Sequence, residues 1–125
     1  MKAVEVKEML YQAVAYLGLS RVYAFFAPTN TIFTNQGTSL PLASQKNTKN
    51  QTCLEAGEEA QFAIFGDQMK GFATKGEPDV RHINKWLVDN CFGDYYTRSS
   101  LDYAERELLT FCYLYSQGGC EPQLK

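Results

Sequence analysis

Apolar residues recur at intervals of three and four in the first segment of the sequence, and this spacing constrains the fold more than any other feature. The residues that share it are Val6, Met9, Leu10, Ala13, Val14 and Leu17. An α-helix brings such residues to one face, while lysine and glutamate residues take the other face. Gly18 follows directly, and glycine commonly ends a helix. The sequence therefore predicts an amphipathic helix that ends at Gly18.

Two later segments show the same helical spacing. Pro78 suits the first turn of a helix, and the apolar residues that follow it up to Gly93 are Val80, Ile83, Trp86, Leu87 and Cys91. Ser99 and Asp102 match a capping box, and the apolar set of this third helix is Leu101, Ala104, Leu108, Phe111, Cys112 and Tyr115. We predict that the third helix ends at Gly118 and that both apolar sets face the core.

Two other segments are rich in β-branched and aromatic residues around turn-forming centres. Residues 21–34 place such runs on both sides of Pro28-Thr-Asn, and residues 61–74 place them around Gly66-Asp67. Both segments are interpreted as β-hairpins. A helix from Leu54 to Met69 is the competing interpretation of the second segment, weakened by Gly57 and Gly66. The phenylalanines predicted to form the core of the hairpins are Phe25, Phe26, Phe33, Phe62, Phe65 and Phe72.

These elements predict an α+β fold with the order α-ββ-ββ-α-α. Two hairpins would form an antiparallel sheet, and the helices would cover one face of it in a two-layer arrangement. The chain of 125 residues is predicted to form a single domain, residues 1–125. Residues 35–52 are rich in Thr, Asn, Gln and Ser, which predicts a polar loop. Such a loop is usually a mobile surface connection, and a lid or binding loop is the functional alternative.

Charge and composition exclude several classes of partner. The 12 Lys and Arg residues balance 14 Asp and Glu residues without forming a basic block, so we expect no nucleic-acid partner. The longest apolar run, Val22 to Ala27, is far too short to span a membrane. No signal-peptide pattern accompanies the four cysteines, which would form two disulfides in an oxidising compartment. We expect a cytoplasmic protein with reduced cysteines and no membrane partner.

The sequence offers few groups for catalysis. His82 is the only histidine, and Cys91 lies nine positions further on, which places the two on opposite faces of one helix. The two cysteines closest in sequence, Cys112 and Cys120, are eight positions apart, so paired zinc ligands are missing. We predict no catalytic residue, no metal and no cofactor. A small hydrolase or transferase that uses a cysteine and His82 stays open as the enzymatic alternative.

One cluster resembles a ligand site in its residue types. Tyrosines, an arginine and a serine precede the third helix, whose free N–H groups attract anions, and the helix before them carries an indole and an imidazole. The candidate ligand-binding residues are Tyr95, Tyr96, Arg98, Ser99, Trp86 and His82. They would hold a small anionic or aromatic ligand. In the ordinary alternative Arg98 pairs with Asp94 or Asp102, and the tyrosines close the edge of the core.

Further aromatic and aliphatic residues lie off the predicted core face of the third helix. These candidate interface residues are Tyr103, Leu109, Tyr113 and Leu114. A homodimer would cover them, unless the helix is central within one chain. The sequence thus favours a non-enzymatic binding or interaction protein that forms a homodimer, with a small molecule or another protein as a further partner. The alternative within this class is an adaptor like the secretion chaperones, because a small, slightly acidic dimer with an N-terminal amphipathic helix followed by antiparallel strands suits that role.

Overall fold

The computed structural model describes residues 1–124, and all regular secondary structure in that range is helical. The α-helices are α1 (Ala3–Leu17), α2 (Leu19–Asn35), α3 (Cys53–Phe65), α4 (Arg81–Trp86) and α5 (Tyr103–Gln117). A π-helix, Leu87–Tyr96, continues α4 directly. Short 3₁₀ turns span Gly66–Met69, Phe72–Thr74 and Glu121–Leu124.

The predicted α+β fold with an antiparallel sheet is wrong, because residues 1–124 contain no β-strand. The first predicted hairpin is α2. Val22, Phe26 and Phe33 lie at helical spacing along its inner face, and tertiary packing of that face overrides the weak β preference of the segment. Pro28 is accommodated inside α2, where it removes one backbone donor.

The second predicted hairpin is also helical, and the competing helical interpretation is the correct one. Its first half lies in α3, which ends at Gly66 with a φ of 78°. That left-handed backbone suits glycine and ends the helix. Its second half forms the short turn Phe72–Thr74 instead of a strand. The glycines that weakened the helical prediction therefore have specific places: Gly66 at the helix end and Gly57 at a helix contact.

The three helices predicted from apolar spacing are confirmed, with shifts at their ends. Helix α1 ends before Gly18, as predicted. Asp102, rather than Ser99, caps α5: its carboxylate accepts the Glu105 backbone N–H at 2.8 Å, and Glu105 accepts the Asp102 N–H at 2.9 Å. The second helix continues through Gly93 and ends at Tyr96, and its C-terminal part is π-helical. Its predicted core face is wrong in the first half, where Val80, Ile83 and Trp86 are exposed, whereas Cys91 is buried.

The chain divides into two compact units, which are described separately. Unit 1 comprises residues 1–44 with residues 100–124, and unit 2 comprises residues 45–99. Residues 36–52 carry no helix and contribute to both units. The single domain over residues 1–125 stays a prediction. No helix within residues 1–124 has the length and apolar composition that crossing a membrane requires.

In unit 1, α1 packs against both α2 and α5. The side chains that join α1 to α5 are polar and buried: Glu8 and Gln12 on α1, and Arg106 and Thr110 on α5. The buried apolar residues of α1 and α2 are Ala13, Val22 and Phe33. The predicted core face of α5 is wrong, because its large members are exposed. Leu108 is 64 %, Phe111 50 % and Tyr115 72 % accessible. Helix α5 therefore buries polar side chains and exposes large apolar ones, which is the reverse of an ordinary amphipathic helix.

In unit 2, α3 packs closely against the π-helix. A Cβ at Gly57 would overlap the Val88 carbonyl oxygen, and one at Gly93 would overlap the Cys53 carbonyl. The two glycines therefore let the two backbones touch. The side chains buried in this unit are Cys53, Ala60, Gln61, Ala73, Val88, Cys91, Phe92 and Tyr96. Phe62 and Phe65, predicted as core, are exposed instead, as is Phe25 in unit 1.

Candidate functional site

The predicted ligand residue Arg98 binds a neighbouring side chain. Its Nη1 lies 3.1 Å from Asp94 Oδ1, one helical turn earlier. The Lys46 ammonium lies 2.8 Å from the other carboxylate oxygen. The hydrogen bond and charge of Asp94 raise the pKa of Lys46 against a smaller opposing effect of burial. The ordinary alternative, in which Arg98 pairs with Asp94, describes this structure.

Ser99 also has hydrogen-bond partners in the segment of the chain that contains Lys46. Its backbone N–H donates to the Gln45 carbonyl at 3.0 Å. The Asn47 amide donates to Ser99 Oγ at 3.0 Å and to the Thr97 carbonyl at 2.8 Å. Thr48 donates to the Gly93 carbonyl at 2.9 Å. Residues 45–48 are therefore tied to the end of the π-helix, and the two groups predicted to bind an anion have partners within the chain: Asp94 for Arg98 and Asn47 for Ser99.

The two tyrosines of the predicted site differ in burial. Tyr96 is fully buried, and its ring centroid lies 4.5 Å from that of Phe92. Tyr95 is half-buried, and burial raises the pKa of its phenol, with a smaller opposing effect from a hydrogen bond with Asn90. Tyr96 thus belongs to the core of unit 2, as the ordinary alternative proposed.

Trp86 and His82 form a separate pair on the exposed side of α4. Their ring centroids are 4.9 Å apart in an edge-to-face arrangement. Cys53 and Cys91, the cysteines of the same unit, are buried, whereas His82 is exposed. This arrangement gives the Cys/His enzyme no geometric support. Within residues 1–124, no group of three or more His, Cys, Asp or Glu side chains is placed to hold a metal ion.

Unit 2 also has an open groove of about 460 Å³, lined by Glu58, Glu59, Phe62, Met69, Lys70 and Gly71. The Lys70 ammonium lies 5.1 Å from the centroid of the Phe62 ring and 2.6 Å from an Asp67 carboxylate oxygen. The cation of the groove therefore already has an aromatic and an anionic partner within the chain.

A buried polar network joins α1 to α5, and the sequence interpretation missed it. Arg106 Nη2 lies 3.3 Å from Glu8 Oε2, and its Nη1 donates to Gln12 Oε1 at 3.1 Å. The Gln12 amide donates to the Arg106 carbonyl at 2.8 Å and to Thr110 Oγ1 at 2.9 Å. One sequence signal for it exists: Glu8 and Gln12 are four positions apart, as are Arg106 and Thr110, so each pair shares a helix face.

Of the predicted interface residues, Tyr113 has partners within its own chain. Its hydroxyl donates to the Met9 carbonyl at 2.8 Å, and its ring stacks on Tyr16 with centroids 6.0 Å apart. Burial raises the pKa of Tyr113 well above its usual range. Leu109 and Leu114 are half-buried, and Tyr103 is exposed. The interface at these four residues stays a prediction, and the larger exposed apolar groups of unit 1 lie elsewhere.

Two exposed apolar faces remain in unit 1, and both belong to helices that pack on α1. The first, the α5 face, consists of Leu108, Phe111 and Tyr115, with the last two rings stacked at 5.9 Å. The second, on α2, includes Tyr23, Phe25 and Ile32. Comparisons with protein-family models, with curated proteins and with solved structures found no match, so a function is inferred from this geometry.

Proposed function

We propose that the chain is a non-enzymatic interaction protein that works in the cytoplasm and associates with itself through unit 1. The observation that carries this proposal is the exposure of large apolar side chains on two helices of unit 1, α5 and α2. Polar side chains such as Glu8 and Arg106 fill the contact between α1 and α5, while Leu108, Phe111 and Tyr115 face outward. A second protein surface is the environment in which these apolar groups lose contact with water.

The free energy available from covering the α5 face is substantial. Full burial of one large apolar side chain contributes about 1.5–3 kcal/mol. The three residues of the α5 face are between one half and three quarters exposed, so covering them contributes about 3–5 kcal/mol before the entropy cost of association. Exposed apolar groups that adjoin one another commonly mark interaction sites.

The buried network explains how these groups are held outside. An ion pair between Glu8 and Arg106 gains little net stability over an apolar contact, but it penalises any other orientation of α5 strongly. Rotating α5 to bury Phe111 would remove Arg106 from Glu8 and Gln12 and leave the buried Glu8 carboxylate without its ion-pair partner. The network therefore favours the orientation of α5 in which the α5 face is exposed, and this supports the proposal that the face takes part in an interaction.

The other functions considered have less support. A small anionic ligand would compete with Asp94 for Arg98 and with Asn47 for Ser99. The adaptor like the secretion chaperones was inferred from antiparallel strands, and residues 1–124 contain none. Self-association instead agrees with the homodimer inferred from the aromatic content.

The test is a dilution series on the purified chain. Light scattering should give a mass near twice the 14.1 kDa of one chain at high concentration. Because association stabilises the folded state by mass action, the melting temperature should fall over a roughly hundredfold dilution. A mass of 14.1 kDa and an unchanged melting temperature at every concentration would contradict the proposal.

A control variant separates the two units. Ile83→Glu introduces a charge at an exposed apolar position of α4 in unit 2. Association should be unchanged in this variant. Loss of association would place the contact in unit 2 and reject unit 1 as the interaction surface.

A further inference from the structure

Helix α2 has an outer face with a single charged residue, at its N-terminal end. Arg21 is its one charged residue, and no charged residue occurs between Val22 and Gln45. The inner face of α2 is defined by the buried Val22 and Phe33. The opposite, exposed face places Ala24, Ala27 and Thr31 along its centre. Large apolar side chains flank this row of small residues, namely Leu19 and Tyr23 on one side and Phe25 and Ile32 on the other.

Three threonine hydroxyls of α2 already have hydrogen-bond partners in the backbone. The hydroxyls of Thr29, Thr31 and Thr34 donate to the carbonyls four residues earlier, at 2.7, 3.2 and 3.0 Å. A hydroxyl that already has a backbone partner costs little to bury. Covering the outer face of α2 therefore removes apolar surface from water without leaving these donors unpaired.

The exposed area is a large part of what a stable interface needs. Covering an aromatic side chain completely buries about 150–250 Å². Tyr23 is 69 % and Phe25 60 % exposed, so these two rings alone offer about 250 Å². A stable interface buries about 800 Å² on each partner. Leu19, Ile32 and the central row add to the rings, so α2 supplies a major part of one half-interface.

We infer that a second copy of this chain covers the outer face of α2, with the two α2 helices antiparallel across a two-fold axis. This inference rests on the proposed self-association and names its surface. In a two-fold interface the same patch meets itself, so charged groups near the axis repel their own copies. Arg21 is exposed on the same side of α2, but it lies six positions before the midpoint of the helix, so the centre of the α2 face avoids this repulsion. Glu105 and Glu107 border the α5 face and are closer to its centre, so a two-fold contact centred on α5 would be less favourable than one centred on α2.

The symmetry identifies the residue at the axis. Helix α2 runs from Leu19 to Asn35, and its midpoint is Ala27. In a fully overlapping antiparallel pair, Ala27 of one copy therefore faces Ala27 of the other. The small side chains of Ala24 and Thr31 allow the helices to approach, and Tyr23 and Phe25 pack around the contact.

A pair of charge variants tests this arrangement. Ala27→Arg and Ala27→Asp each place two like charges at the axis, so each variant alone should be monomeric, with self-affinity reduced at least about tenfold. Mixing the two variants in equal amounts should restore a dimer, because opposite charges then meet. Ala15→Arg is the matched control: Ala15 is exposed on α1, and this variant should dimerise like the wild type. Sedimentation velocity reports the mass, and circular dichroism verifies that each variant is helical.

Each outcome has one meaning. Monomers of the single variants, together with recovery in the mixture, support the α2 pair. A dimer that persists in Ala27→Arg overturns the α2 assignment but leaves self-association of unit 1 intact. Failure of the mixture to recover, with both variants folded, also overturns the antiparallel pair. A monomeric wild type overturns both this inference and the proposed function.

Discussion

The contact between α3 and the π-helix leaves no room for a side chain at Gly57, and Gly57→Ala tests it. The added Cβ would overlap the Val88 carbonyl oxygen and lie 2.9 Å from the Gly93 nitrogen. Real Cβ atoms essentially never come closer than 3.0 Å to such atoms. Both obstacles are backbone atoms, so a change of rotamer cannot relieve the overlap, and the two helices must separate.

The expected cost follows from two opposing effects. Overpacking a close contact typically costs 1–3 kcal/mol, and a backbone obstacle places this case at about 3 kcal/mol. Alanine in a helix interior is favoured over glycine by about 1 kcal/mol. The expected net loss in the free energy of unfolding is therefore about 2 kcal/mol, a large part of the stability of a small protein.

Urea unfolding measures this loss. Trp86 is the only tryptophan and lies in unit 2, so its fluorescence follows the unit that contains Gly57. The matched pair Glu58→Ala and Glu58→Gly, at an exposed position of the same helix, isolates the helix preference and should show alanine the more stable. A Gly57→Ala protein as stable as the wild type, or more stable, would refute the close contact.

Three further substitutions have defined expectations. Arg106→Met leaves the buried Glu8 carboxylate without its ion pair, so the unfolding free energy measured by circular dichroism should fall by about 3–5 kcal/mol, and a fall below about 1 kcal/mol would refute the network. Tyr113→Phe removes a partly buried hydrogen bond and should cost about 1 kcal/mol near pH 7. Burial raises the pKa of Tyr113 in the folded state. The wild type should therefore lose stability above about pH 10, where the phenol ionises in the unfolded state, and Tyr113→Phe should lose less. Parallel stability–pH profiles for the two proteins would contradict this expectation. Asp94→Asn removes the ion pair with Lys46. Such a pair is worth up to about 1 kcal/mol, so trypsin should cleave after Lys46 about fivefold faster in timed digests. An unchanged cleavage rate would show that the ion pair does not restrain the loop.

Local sequence signals predicted part of this fold. Gly18 and Gly118 end helices because a backbone turn at a helix end depends on a few adjacent residues. The pairing of Arg98 with Asp94 was among the alternatives because ion pairs between neighbouring charged residues at a protein surface are common. The helical state of α2 was missed because its β-branched and aromatic residues were interpreted as a sign of strands. Their preference for strands is weak, and packing of Phe33 and its neighbours decides the outcome.

The buried network and the exposed faces could not be predicted from periodicity. Glu8 and Arg106 are 98 positions apart, and a local pattern holds no information on such a pair. An apolar row on a helix indicates a surface that avoids water, without indicating whether its own chain or another one covers it. Leu108 and Phe111 were therefore assigned to the core, although they lie on the surface.

Sedimentation equilibrium of the wild type beside Ala27→Arg tests the central claim, self-association through the outer face of α2, most directly. The expected masses are twice the 14.1 kDa of one chain for the wild type and 14.1 kDa for the variant at the same concentration. A wild type of 14.1 kDa throughout the concentration range, or a variant that stays dimeric, would contradict it.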